Sequence, residues 1–172
     1  MPSQTPSPEA RLTPDCAACA ALCCVGLAMD TGPRFAIDKP IGTPCPNLTG
    51  HRCKVHGTLA EAGFSGCVAF SCLGAGQRVT QELFGGQSWQ DDPNILPGMI
   101  DAFCDMLRIH EALELLTQAA GLPLDAADEA RRLELVAQLA PEKWTTAALQ
   151  RAMHADVPGQ AHAFLRSLAG KL

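Results

Sequence analysis

The chain has 172 residues, enough for one domain or slightly more, and carries 13 Lys+Arg against 18 Asp+Glu for a net charge of −5. That balance argues against a nucleic-acid binder held by phosphate contacts, and six Phe, two Trp and no Tyr are too few aromatic faces for a base-stacking platform. No apolar run approaches the roughly 20 residues that span a bilayer, so neither nucleic acid nor membrane is expected as a partner.

Residues 1–13 are rich in Pro and Ser and are expected to be a disordered tail. The first fifteen residues hold no apolar stretch of the secretory kind, so the expected location is cytoplasmic. Residues 14–84 contain eight of the nine cysteines and read as an irregular Cys-rich module with short helices. Thr13 and Pro14 look like an N-cap and first-turn pair, which predicts one helix over residues 14–24. Short strands are expected at 34–37 and 52–55, and a short helix at 55–62 ended by Gly63. Gly74-Ala75-Gly76 is a turn after Cys72 rather than a phosphate loop, for which a lone GxG is a weak signal. Residues 85–98, GGQSWQDDPNILPG, read as a linker loop.

From Met99 to residue 172 the composition becomes helical. Met99, Phe103, Met106, Leu107, His110, Leu113, Leu116 and Ala120 recur at intervals of three and four, the spacing of one helix face. Cys104 is expected as a small core residue and His110 as a packed, hydrogen-bonded histidine. Gly121 and Pro123 stop this helix, and Asp125 caps the next. The second helix is expected to bury Ala130, Leu133, Val136, Ala137 and Ala140. A third turns Trp144, Ala148, Leu149, Ala152 and Met153 inward; a fourth, from Pro158, turns in Ala161, Phe164, Leu165 and Leu168. His154, His162, Glu111 and Glu114 fall on solvated faces. The expected fold is therefore mainly α, with the Cys-rich module packed on a small C-terminal helical bundle.

The cysteines carry the chemistry. Eight lie within the 57 residues from Cys16 to Cys72, well above the roughly 8–10% at which cysteine builds the scaffold. In a reducing compartment such density points to metal ligation before disulfides. The spacing is C16-x2-C19-x3-C23-C24-x20-C45-x7-C53-x13-C67-x4-C72. On one helix Cys16, Cys19 and Cys23 would share a face, and Cys24 would join them only where the helix unwinds. His51 and His56 flank Cys53 and could complete a Cys3His zinc site. A zinc ribbon usually has two CxxC knuckles, whereas this chain has one. Closely spaced Cys with a distant Cys45-Pro46 is nearer to ferredoxin-type ligation. The candidate ligands are Cys16, Cys19, Cys23, Cys24, Cys45, Cys53, Cys67 and Cys72. The favoured cofactor is an iron–sulfur cluster such as 4Fe-4S, with Zn2+ as the alternative; one cluster with one zinc, or two zinc sites, both suit eight thiolates.

The C-x2-C-x3-C-C start, C45-x2-L48, the C53-x2-H56 step and the closing Cys67 and Cys72 resemble the YkgJ-type zinc- or iron-chelating domain family, whose members share eight cysteines. The stretches CCVGLAMD, FAIDKPIGTPCPNL, CKVHGTLAEAGFSGC and CLGAGQRVTQELFGG are similar to an N-terminal segment of actinobacterial pentapeptide-repeat proteins. The likeness covers about residues 14–90. It implies metal binding and, through some members, a link to iron–sulfur-dependent protein lysine methylation. Gly63-Phe64-Ser65-Gly66 replaces the Arg-Pro usual before the seventh cysteine, and no pentapeptide repeats follow.

Three functions suit these features: a metal-dependent interaction or accessory module that binds another protein, a cluster-dependent redox enzyme or accessory to lysine methylation, and metal storage or delivery. No nucleotide or methyl-donor fingerprint is present, so whether the chain is itself an enzyme stays open, as does its oligomeric state.

Overall fold

A computed structural model describes residues 12–169. Residues 1–11, most of the expected tail, lie outside the described part. Leu12 is buried in the core, and the Gln77 side-chain amide donates to the Thr13 carbonyl at 2.8 Å.

The described residues are mainly helical, with seven α-helices among them. The largest is α4, Leu96–Gln118. It starts three residues before the expected Met99, because Pro97 in its first turn carries a preset φ and needs no hydrogen-bond partner there. Three helices pack on one side of α4 as the expected bundle: α5 (Ala126–Leu139), α6 (Thr146–His154) and α7 (Val157–Leu168). Asp125 caps α5 as the sequence implies, and Thr145, which the sequence reading passes over, caps α6. Asp125 accepts from Asp128 N–H at 2.8 Å, and Thr145 accepts from Ala148 N–H at 3.1 Å.

Two helices of the Cys-rich half, α1 (Leu22–Gly26) and α3 (Ala75–Arg78), also pack on α4. The chain continues from α3 as one turn of π-helix, Val79–Leu83. Leu22, Val25, Ala75 and Val79 therefore share one apolar core with Met99, Phe103, Met106, Leu113 and Leu116. Contact on two sides explains why α4 also buries Ile109 and Ala112, beyond the single stripe expected of it. Ala120, expected inward, is exposed past the end of the helix.

The Cys-rich half has a second, smaller core: Met29, Cys45 and Phe64, flanked by Cys24, Phe35, Ile37, Leu59, Ala62 and Cys67. Around it the chain is mostly turns. Strands β1 (Leu48–Thr49) and β2 (Arg52–Cys53) pair antiparallel, with Leu48 opposite Cys53. The expected strand at 34–37 is absent; the antiparallel bridge falls instead between Met29 and Lys39. The expected helix at 55–62 is a 3-10 turn, His56–Thr58, running into further turns up to Gly63, whose φ of +83° ends it. Helix α2, Ser65–Ala69, carries Cys67.

The remaining expectations meet three corrections. Residues 14–24 do not form one helix. Asp15, not Thr13, caps a 3-10 turn at Cys16–Ala18, and Ala21, in the left-handed region at φ +57°, separates it from α1. Helix α5 buries Arg132, Leu135 and Leu139, while Leu133 is 51% exposed and Ala130 and Ala137 also face outward. The buried guanidinium of Arg132 donates to the Leu116 carbonyl at 3.2 Å and to both Glu129 oxygens at 2.7 Å, which turns this face to α4. Cys104 is half-exposed rather than core, on the side of α4 that also carries Asp101 and Asp105.

Residues 85–98 contain a 3-10 turn at Pro93–Ile95 and two buried side chains, Ser88 and Trp89. The indole N–H of Trp89 donates to the Ala20 carbonyl at 2.7 Å, which ties this loop to the first cysteines.

Candidate metal centre

Elements far apart in sequence bring the cysteines together. Cys19 lies just before the Ala21 reversal, and Cys23 and Cys24 sit side by side on α1 with their sulfurs 4.0 Å apart. Cys72 precedes α3; its carbonyl accepts from Ala75 N–H at 2.8 Å. Cys45 is bound to α1 through its own N–H, which donates to the Cys24 carbonyl at 3.0 Å. The Cys45 carbonyl in turn accepts from Leu48 N–H at 2.9 Å, and Leu48 pairs with Cys53.

The surroundings of Cys19 are the most developed. Its sulfur accepts hydrogen bonds from the backbone N–H groups of Leu22 and Ala21, and lies within reach of the Thr80 hydroxyl. Such donors stabilise a thiolate and are the backbone arrangement that metal-bound cysteines use. The left-handed Ala21 aims the two N–H groups backward. Thr80, itself buried, accepts from Ala20 N–H at 3.0 Å and donates to the Gly76 carbonyl at 2.9 Å. Gly76 is required by closeness: a Cβ there would stand 2.5 Å from the Cys19 sulfur. Cys53 likewise accepts from the N–H of Val55.

Without a cation several of these thiols resist ionisation. Burial pushes Cys16, Cys19, Cys53 and Cys67 up, and neighbouring sulfurs add to it. Cys24 is the exception. The Cys23 thiol donates to it, and with the Lys39 ammonium this holds it at about 7 against the effect of burial, while Cys23 is driven up by the same hydrogen bond. Lys39 is buried, and its ammonium donates to the carbonyls of Leu27 at 2.5 Å and Thr43 at 3.0 Å. Its charge faces Cys45 most strongly, then Cys24, Cys23 and Cys67.

Among the described residues, no three His, Cys, Asp or Glu side chains stand close enough together to hold one metal ion as they are placed. No cysteine is paired in a disulfide; all nine are free. The donor chemistry suits a thiolate-bound metal, and closing a site requires the sulfurs to draw inward. The two histidines singled out beside Cys53 are not drawn into this arrangement. His51 is exposed and bonds through Nε2 to the Ser88 hydroxyl at 2.8 Å, and His56 is exposed on its 3-10 turn. His110, on α4, is packed as expected, at 2% exposure, with its Nδ1–H donating to the Leu73 carbonyl at 2.5 Å.

Sequence reasoning passed over Lys39, Thr80 and Trp89. A lone Lys between Pro and Asp and a lone Thr carry no motif. Only the tertiary packing sets them around the cysteines.

No family model matches the chain. It is 41% identical over 114 residues to the uncharacterized protein YybG of Bacillus subtilis (strain 168), an alignment covering 66% of this chain and 41% of that protein. The chain thus spans about two fifths of the length of the curated relative it matches. No solved structure matches it.

Proposed function

We propose that the protein binds metal through its clustered cysteines, holding an iron–sulfur cluster, and acts as an accessory or interaction module for another protein in the cytoplasm. The observation that carries the reading is the treatment of Cys19. A left-handed alanine, a glycine with no room for a Cβ and two backbone N–H donors all serve one sulfur atom. Strain and exclusion of this kind around a thiol are what a thiolate ligand needs and what an inert buried thiol does not. The gathering of eight cysteines from five separate segments supports the same reading. The accessory role rests on the lack of any nucleotide or methyl-donor fingerprint, and no helix of the described residues is long and apolar enough to cross a membrane.

Anaerobic purification with iron, zinc and acid-labile sulfide analysis tests this. The expected result is a coloured protein carrying iron and sulfide. Zinc without sulfide would replace the cluster by zinc sites. Less than about a tenth of an equivalent of either metal would end the reading, since a site that folds its own module binds far more tightly than that.

A further inference from the structure

The eight clustered cysteines divide between the two apolar cores. Cys19, Cys23 and Cys72 pack against the large core that includes α4, whereas Cys24, Cys45 and Cys67 belong to the small core around Phe64. Two more cysteines attach to these groups through the backbone. The Cys16 carbonyl accepts from Cys19 N–H at 3.4 Å, which places it with the first. Cys53 lies opposite Leu48, whose N–H is bound to Cys45, which places it with the second. The mutual fields of the thiols divide the same way. Cys16, Cys19 and Cys23 each feel Cys72, whereas Cys53 and Cys67 each feel Cys24 and Cys45. The groups meet at the adjacent pair Cys23 and Cys24, and Cys16 is also within reach of Cys24.

We infer that the protein has two metal centres rather than one: a first built from Cys16, Cys19, Cys23 and Cys72 on the face of the helical bundle, and a second built from Cys24, Cys45, Cys53 and Cys67 in the loop-rich half. Each set has the four thiolates that close a tetrahedral site or hold one cubic cluster. Cys23 and Cys24, adjacent on α1 with sulfurs 4.0 Å apart, are where the two centres adjoin, each supplying one sulfur to its own set. The two centres also differ in their surroundings. Four thiolates around a divalent ion leave two negative charges, and the buried Lys39 ammonium faces Cys45, Cys24 and Cys67 of the second set but only Cys23 of the first, which otherwise relies on backbone N–H groups. The second centre is therefore the less negative of the two.

This rests on the metal-binding reading above, and the test separates the two. Reduced, metal-free full-length protein is titrated with Co2+ under anaerobic conditions, following the thiolate-to-cobalt charge-transfer absorption. The expected end point is two equivalents for the natural sequence. Cys16→Ser with Cys72→Ser should leave one equivalent, held by the second set, and Cys45→Ser with Cys67→Ser should leave one, held by the first. Saturation of the natural sequence at one equivalent overturns the division while keeping metal binding. So does loss of all charge-transfer absorption in either double variant whose circular dichroism retains the natural helix signal. No charge-transfer absorption in the natural sequence overturns both readings. The end point of the natural sequence needs no variant, so the outcome does not depend on whether the variants fold.

Discussion

At the scale of single residues, two small side chains decide where a sulfur sits. Gly76→Ala puts a methyl group 2.5 Å from the Cys19 sulfur, and the obstacle is a cysteine fixed by its own hydrogen bonds. The substitution should cost about 1–3 kcal/mol as an overpacked site and weaken metal retention as well. Thr80→Val leaves the buried Ala20 N–H without its acceptor, at about 1–3 kcal/mol, and Thr80→Ser should restore most of that. Urea denaturation of the three variants checks both values. His110 gives a pH signature. Burial lowers its folded pKa to about 4 from an ordinary 6.5, with Arg78 lowering it further, and the Leu73 carbonyl and Glu82 opposing. The imidazole is therefore neutral in the folded chain and takes up a proton on unfolding below pH 6.5. The unfolded state binds more protons between about pH 6.5 and 4, so stability is full above that window and falls as pH drops through it, by up to roughly 3 kcal/mol. His110→Gln, compared with the natural protein in the same metal state, should flatten the fall in urea midpoint across that window. An unchanged slope would mean that His110 does not contribute it.

At the scale of elements, the sequence was most legible where local signals and packing agree. The cap at Asp125 and the inward faces of α6 and α7 follow from spacing and cap chemistry alone. The stretch from Cys16 to Cys24, by contrast, has an Ala-rich composition that favours helix, yet its middle is unwound. There tertiary partners take the backbone groups a helix would use. Thr80 accepts from Ala20 N–H, Trp89 donates to the Ala20 carbonyl, and Cys19 accepts from Ala21 and Leu22 N–H. None of these partners is near in sequence, apart from the cysteine. On α5 the face was misplaced by one step because Arg132 counts as polar in any periodicity reading, while its guanidinium is satisfied against α4. Leu133→Ala, at an exposed position, should therefore change stability by less than about 0.5 kcal/mol, and Leu135→Ala, fully buried, should cost about 2–5 kcal/mol. Thermal or urea unfolding of the pair separates the two faces, and equal costs would restore the face that spacing alone suggests.

At the scale of the whole molecule, one apolar core joins the cysteine-bearing helices to the bundle. Phe103 shows how directly. It is completely buried, and its ring lies 3.3 Å from where a Cβ on Gly26 of α1 would stand and 3.8 Å from the corresponding point on Gly76 of α3. Phe103→Ala should cost about 3–5 kcal/mol and loosen both halves, seen as loss of hydrogen-exchange protection in α1 and α3 as well as α4. Loss confined to α4–α7 would contradict a shared core. The density of the cysteines was fully legible in the sequence. Their arrangement was not, because the segments that carry Cys45, Cys53 and Cys67 have little periodic structure. They are placed by the small core around Phe64 and by carbonyls gathered on Lys39.

The central claim, that cysteine sulfur holds the metal, is tested most directly by X-ray absorption at the edge of whichever metal the anaerobically purified protein carries. A first shell of sulfur alone, at about 2.3 Å, is the expected result. A shell dominated by nitrogen or oxygen, with the cysteines still titrating as free thiols, would contradict it.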